Sequence, residues 1–108
     1  MSLAKTPAPP YLAVIFTSAR TEGDRGYEAM AERMVALAEG QPGFLGMDSV
    51  RGEVGVGITV AYFRDEAAIA QWRAHPEHRV AQREGRETWY ADYEVRVARV
   101  ERAYGKER

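Results

Sequence analysis

The sequence predicts an α+β fold in which one four-stranded antiparallel sheet carries its helices on a single face. Three observations lead there. Four stretches rich in branched and aromatic residues are bounded by turn residues, as strands are. Other stretches repeat apolar residues at spacings of three and four, as helices with one buried stripe do. The order along the chain is strand, helix, strand, strand, helix pair, strand, which is the ferredoxin-like split βαβ arrangement.

Residues 1–10, MSLAKTPAPP, hold three of the five prolines and little that can pack, so they are expected to be a disordered leader. A single domain then spans residues 11–105, with residues 106–108 as a tail and fraying expected from Glu101 onward. Tyr11 to Thr17 is apolar and is followed by the polar stretch Ser18 to Arg25, which fits a buried strand. Asp24 can cap a helix on which Tyr27, Met30, Ala31, Met34, Leu37 and Ala38 form one stripe, stopped by Gly40 and Pro42. Phe44 to Arg51 and Val54 to Phe63 read as two strands joined by a tight turn at Gly52 and Glu53. Gly46, Gly55 and Gly57 interrupt these strands, where a glycine marks a bulge or a close approach to the backbone. Asp65 caps a short helix with Ala68, Ile69 and Trp72 on its inner side. Pro76 ends that helix, because the residue before a proline is pushed out of helical geometry, and it suits the first turn of the next one. On this second helix His78, Ala81, Gln82, Gly85 and Trp89 fall on one face. Finally, Tyr93, Val95 and Val97 alternate with Glu94, Arg96 and Ala98 in a half-buried strand, Tyr93 to Val100. Helices cover one face of such a sheet, so an apolar second face points to a homodimer closing sheet on sheet.

Composition narrows the function classes. The chain has 108 residues, 15 of them basic and 16 acidic, for a net charge of −1. That charge offers no field to gather a phosphate backbone or anionic lipid, so neither nucleic acid nor membrane is an expected partner. The absence of cysteine removes thiolate catalysis and cysteine-ligated metals, and suits a reducing, cytoplasmic setting. The longest apolar run, Tyr11 to Phe16, is far short of the ~18 residues of a membrane span. There is no G-x-S-x-G, no Walker loop and no G-x-G-x-x-G opening a helix after a strand, so lipase-type catalysis and standard nucleotide binding have no support.

Four segments carry a resemblance to a known family: AVIFTSARTEGD (13–24), YEAMAERMVALAEGQPGFLGMDSV (27–50), GITVA (57–61) and AQWRAHPEHRVAQREGRETWYADYEVRVARVERAYG (70–105). The chain resembles the antibiotic biosynthesis monooxygenases, dimeric α+β barrels. The resemblance implies a homodimer with a pocket in each subunit between sheet and helix pair. It also implies oxidation of aromatic quinols or anthrones by O2, without metal or flavin cofactor. Trp72 matches the family's tryptophan on the second helix. Active relatives add an asparagine on the first strand, and this chain has no asparagine. In a haem-degrading branch a histidine stands ten positions beyond the tryptophan, whereas here that position is Gln82, a poor haem ligand.

The residues able to do chemistry gather between Ala67 and Tyr93, which holds both tryptophans and both histidines. His75 and His78 have a spacing at which two imidazoles on one continuous helix can share a metal, but Pro76 separates them and no third ligand is well spaced, so no metal is expected. One reading has one histidine capping the turn and the other solvated. The other sends a histidine into the pocket as a general base, with His78 favoured because it shares a face with Gln82 and Trp89. Trp72 is expected to fill core while walling an aromatic pocket. Phe16, Tyr62, Gln82, Trp89 and Tyr93 are the further candidates for contact with the substrate. Thr17 and Ser18 stand nearest to where the family's asparagine would be, and Arg83 and Arg86 are expected to pair with Glu84 and Glu87 on the surface.

Overall fold

A computed structural model of the chain describes residues 3–106, so what the sequence implies for Met1, Ser2, Glu107 and Arg108 lies outside the described residues. The elements are β1 (Tyr11–Arg20), α1 (Tyr27–Glu39), β2 (Phe44–Arg51), β3 (Val56–Phe63), α2 (Glu66–Ala74), α3 (Pro76–Glu84), a π-helical turn (Gly85–Trp89) and β4 (Tyr90–Val100). The strands form one antiparallel sheet in the order β2-β3-β1-β4, the expected ferredoxin-like α+β fold.

Register decides which side chains meet, because residues opposed in an antiparallel ladder share a face. Leu12, Val14, Phe16 and Ser18 of β1 lie opposite Phe63, Ala61, Thr59 and Gly57 of β3. On the other side of β1 the same face continues into Val97, Val95 and Tyr93 of β4. The helices pack here. Phe63, Ala68 and Ile69 form the buried centre, with Leu12, Val14, Phe44, Ala61 and Trp72 against it. Tyr11, Ala13, Ile15, Thr17, Ile58, Val60 and Tyr62 point to the opposite face.

Several boundaries differ from the sequence expectation, each for a tertiary reason. β1 runs on through Ser18–Arg20 because Gly57 and Val56 supply ladder partners that the polar composition does not reveal. β3 begins at Val56, since Val54 and Gly55 (φ 87°) are consumed by the turn. β4 is exposed on both faces: Val95 and Val97 keep 47% and 51% of their surface, although their alternation is as expected. The glycines behave as the sequence implied. Gly46 (φ 144°) sits where the β2–β3 register shifts, and Gly57 makes room for the Arg51 guanidinium, which a Cβ there would meet at 2.7 Å.

The leader, expected to be disordered, lies against the sheet where it is described. The Ala4 N–H donates to Asp48 Oδ1 at 2.8 Å, and the Thr6 and Tyr11 hydroxyls share a hydrogen bond of 2.8 Å. Tyr62 also donates to Asp48, and Tyr11 is 5% exposed. A proline-rich segment without apolar periodicity gives no hint that a carboxylate and a phenol on the sheet await it.

Candidate functional site

The helix pair opposite β1 and β3 carries the predicted chemistry. The Asp65 carboxylate accepts from Ala68 N–H at 2.9 Å and starts α2, and that bond, followed by Arg64, holds its carboxyl below the usual carboxylate range. Ala68 and Ile69 then bury, and Trp72 one turn on packs against the core. At the break, His75 leaves helical geometry (ψ 128°) and its Nδ1 accepts from Glu77 N–H at 3.2 Å, so the imidazole caps α3. A bidentate ion pair, Arg33 to Glu77 at 2.8 and 3.0 Å, ties α3 to α1.

His78 is not solvated. Its ring lies flat on the Trp72 indole, 4.2 Å between centroids at an interplanar angle of 12°. Its Nδ1 is 3.0 Å from the Trp72 carbonyl oxygen. A carbonyl only accepts, so Nδ1 carries the proton and Nε2 keeps its lone pair. Burial lowers the His78 pKa below the ordinary value of 6.5, opposed by the Trp72 hydrogen bond and assisted by repulsion from His75 and Arg73. The imidazole is therefore a neutral base near pH 7. His75 and His78 are committed to different backbone groups, and no group of three metal-ligating side chains exists among the described residues.

Gln82 lies one turn beyond His78 on α3 and is half-buried. Trp89 does not share their face. The π-helical turn adds about one residue per turn, which rotates Trp89 away from an α-helical stripe. Its indole N–H donates to the Arg25 carbonyl at 3.0 Å, and its ring packs against Tyr27. Phe16 and Tyr93 meet on the helix-covered face, 5.7 Å apart, and Tyr93, Val95 and Val97 extend an open apolar shelf beyond the helix pair. Tyr62 stands on the opposite face, where burial and the bond to Asp48 raise its pKa. Its odd register position separates it from Phe16 and Trp72. Thr17 shares that far face, while Ser18 is 3% exposed and occupied by Arg51. Arg83 and Arg86 are exposed and form no ion pair among the described residues, unlike the surface pairing expected of them.

Sequence reasoning passed over a second cluster. Tyr27, Arg51, Tyr90 and Ser18 come together from four elements, with Arg51 donating to Ser18 Oγ at 2.8 Å and to Tyr27 Oη at 3.3 Å, and Tyr90 donating to Tyr27 Oη at 3.3 Å. Burial, then the Tyr27 bond, raises the Tyr90 pKa, so its phenol stays protonated. The signal that could have found the cluster is Gly57 opposite Arg51 in the β2–β3 hairpin.

Comparison with known proteins bears on this arrangement. A Bacillus subtilis protein, uncharacterized protein YqjZ, is 57% identical over 100 residues, covering 93% of this chain and 88% of its own length. SnoaB, a cofactor-independent oxygenase from Streptomyces nogalater, has a similar structure, with a TM-score of 0.76 over 91% of this chain and 100% of its own at 15% identity. PA3566 from Pseudomonas aeruginosa superposes with a TM-score of 0.70 at 18% identity, over 91% of this chain and 99% of its own. At such identities the two structures speak to the fold alone. The family model for antibiotic biosynthesis monooxygenase matches residues 10–84, and the chain belongs to that family.

Proposed function

We propose that the protein is a cofactor-independent monooxygenase that oxidises a small, electron-rich aromatic of quinol or anthrone type with O2. The observation that carries this reading is His78, whose neutral ring is stacked on Trp72 with Nδ1 tied to a carbonyl and Nε2 free. Nε2 takes the phenolic proton of the enol form, and the anion passes one electron to O2. The resulting substrate radical and superoxide combine to a peroxide at the ring carbon. Loss of water then converts CH2 to C=O. One oxygen atom enters the product, the other leaves as water, and the substrate supplies all four electrons. Trp72 and Phe16, with Tyr93, offer flat apolar walls that orient the ring, and Gln82 offers an amide to the developing anion. His75 acts from the cap, holding α3 and its His78 in place.

The same reading includes a homodimer. Ile58 and Val50 on the uncovered sheet face are 49% and 75% exposed, which suits closure by a second copy. A cytoplasmic location suits a chain without cysteine, and no helix among the described residues is long and apolar enough to cross a membrane. Oxygen uptake with a panel of quinols and anthrones, run beside anaerobic controls, tests the reaction. Uptake above the protein-free rate is expected for at least one compound, and none with any member of the panel counts against it.

A second reading, a non-catalytic dimeric module that binds a small aromatic or hydrophobic ligand, is favoured by one specific observation. The helix-facing hydroxyl nearest the position of the family's asparagine, Ser18, is already taken by Arg51. Thermal stabilisation by aromatic ligands without any turnover selects this reading over the enzyme.

A further inference from the structure

We infer that the open cleft between α1 and the β2–β3 hairpin is a second binding site, for a small organic monocarboxylate with an apolar body. The cleft has a volume of about 580 Å3 and shares no lining residue with the Trp72–His78 region. That volume lies within the range of small-molecule sites.

Its floor is a tyrosine with two cations near its ring. The Arg20 guanidinium lies 3.7 Å from the centroid of the Tyr27 ring, and that of Arg51 lies 5.7 Å from it. Both guanidiniums are held by neutral acceptors only. Arg20 donates to the carbonyls of Trp89 and Gly23, each at 3.0 Å, and of Asp24 at 3.4 Å. Arg51 donates to Ser18 Oγ, Tyr27 Oη and the Gly55 carbonyl. Neither has an ion-pair partner among the described residues, where the pairs are Arg33–Glu77 and Arg64–Asp65. Two like charges on one ring repel, and an anion between them relieves that repulsion.

Arg51 is exposed, but its position is fixed by the fold around it. It faces Gly57 across the ladder, and a Cβ at Gly57 would stand 2.7 Å from Cζ of the guanidinium. Gly85 does the same for Tyr90, whose ring would meet a Cβ at 2.9 Å. Two side-chain-free slots thus let Arg51 and Tyr90 converge on the same Tyr27 hydroxyl.

The remaining lining selects the ligand. Ala31 and Val35 supply apolar surface, and Val35 is 38% exposed. Asp24 is committed to the backbone N–H groups of Gly26 and Glu28, at 3.0 and 3.1 Å. Glu28 and Glu32, exposed on α1, add negative charge at the rim, so a monocarboxylate meets less repulsion there than a phosphate dianion does.

Titration of the full chain with benzoate, followed by NMR, tests the inference, with benzyl alcohol as the neutral isostere and inorganic phosphate as the polyanion. The expected result is saturable shifts at Tyr27, Val35 and Arg51 with benzoate, weakened by salt, and far weaker binding of benzyl alcohol and phosphate. Arg51→Met should weaken benzoate by about tenfold or more. Gly57→Ala, which keeps the charge and displaces the guanidinium, should also weaken it. Absence of saturable shifts at these residues in the parent protein overturns the inference, whatever the variants do. So does benzyl alcohol or phosphate binding as tightly as benzoate, or undiminished benzoate affinity in folded Arg51→Met.

Discussion

At the scale of the residue, His78 joins stability to chemistry. Its folded-state pKa is below the ordinary 6.5, so at acid pH the unfolded chain binds the extra proton. The contribution of the neutral ring is present above pH 6.5 and is lost as pH falls through the lowered folded-state value. Urea unfolding should therefore show stability rising with pH on the acid side of 6.5, and His78→Phe should flatten that rise while keeping an aromatic ring on Trp72. The candidate site residues were only partly legible in the sequence. Trp72 and His78 could be read from spacing, because α2 and α3 are regular on either side of Pro76. Tyr62 could not be, because a one-residue step in a strand moves a side chain to the other face and only the ladder with β1 reveals which face is roofed.

At the scale of the element, the helices meet the sheet through a small centre. Phe63 is 1% exposed and packs edge-on against Phe44, beside Ile69 of α2. Phe63→Ala should cost about 3–5 kcal/mol in chemical denaturation, since it empties the buried centre that Ala68 and Ile69 of α2 pack against. The order of elements was legible in full, because strand and helix periods differ and the breakers Gly40, Pro42 and Pro76 punctuate them. The end of α3 was not. Seen as a pattern, Ala81, Gln82, Gly85 and Trp89 continue a helix, but Gly85 admits the Tyr90 ring at a distance that a side chain would block, and the backbone widens into a π turn there. Gly85→Ala should thus destabilise the fold and shift the Trp89 fluorescence, because the indole is fixed by the Arg25 carbonyl on the far side of that turn.

At the scale of the whole molecule, the apolar surface still open to water argues for a second copy. Val50, Val56 and Ile58 expose one patch at the hairpin end of the uncovered face, whereas the leader occupies the Asp48 and Tyr11 end. Light scattering at micromolar concentration should report a dimer, and a monomeric mass removes that part of the account. Deleting residues 1–9 should loosen Tyr62, whose partner Asp48 loses its bond to Ala4, and lower the phenol pKa that burial now raises. The central claim concerns the other face, where a neutral imidazole stacked on Trp72 serves as the base. The most direct measurement is oxygen uptake by the parent protein and His78→Ala across pH, with a quinol or anthrone as substrate. The account predicts turnover that falls on the acid side of 6.5 in the parent and is lower by about 100-fold or more in the variant. Equal rates in the two proteins, or no uptake above the protein-free rate, would contradict it.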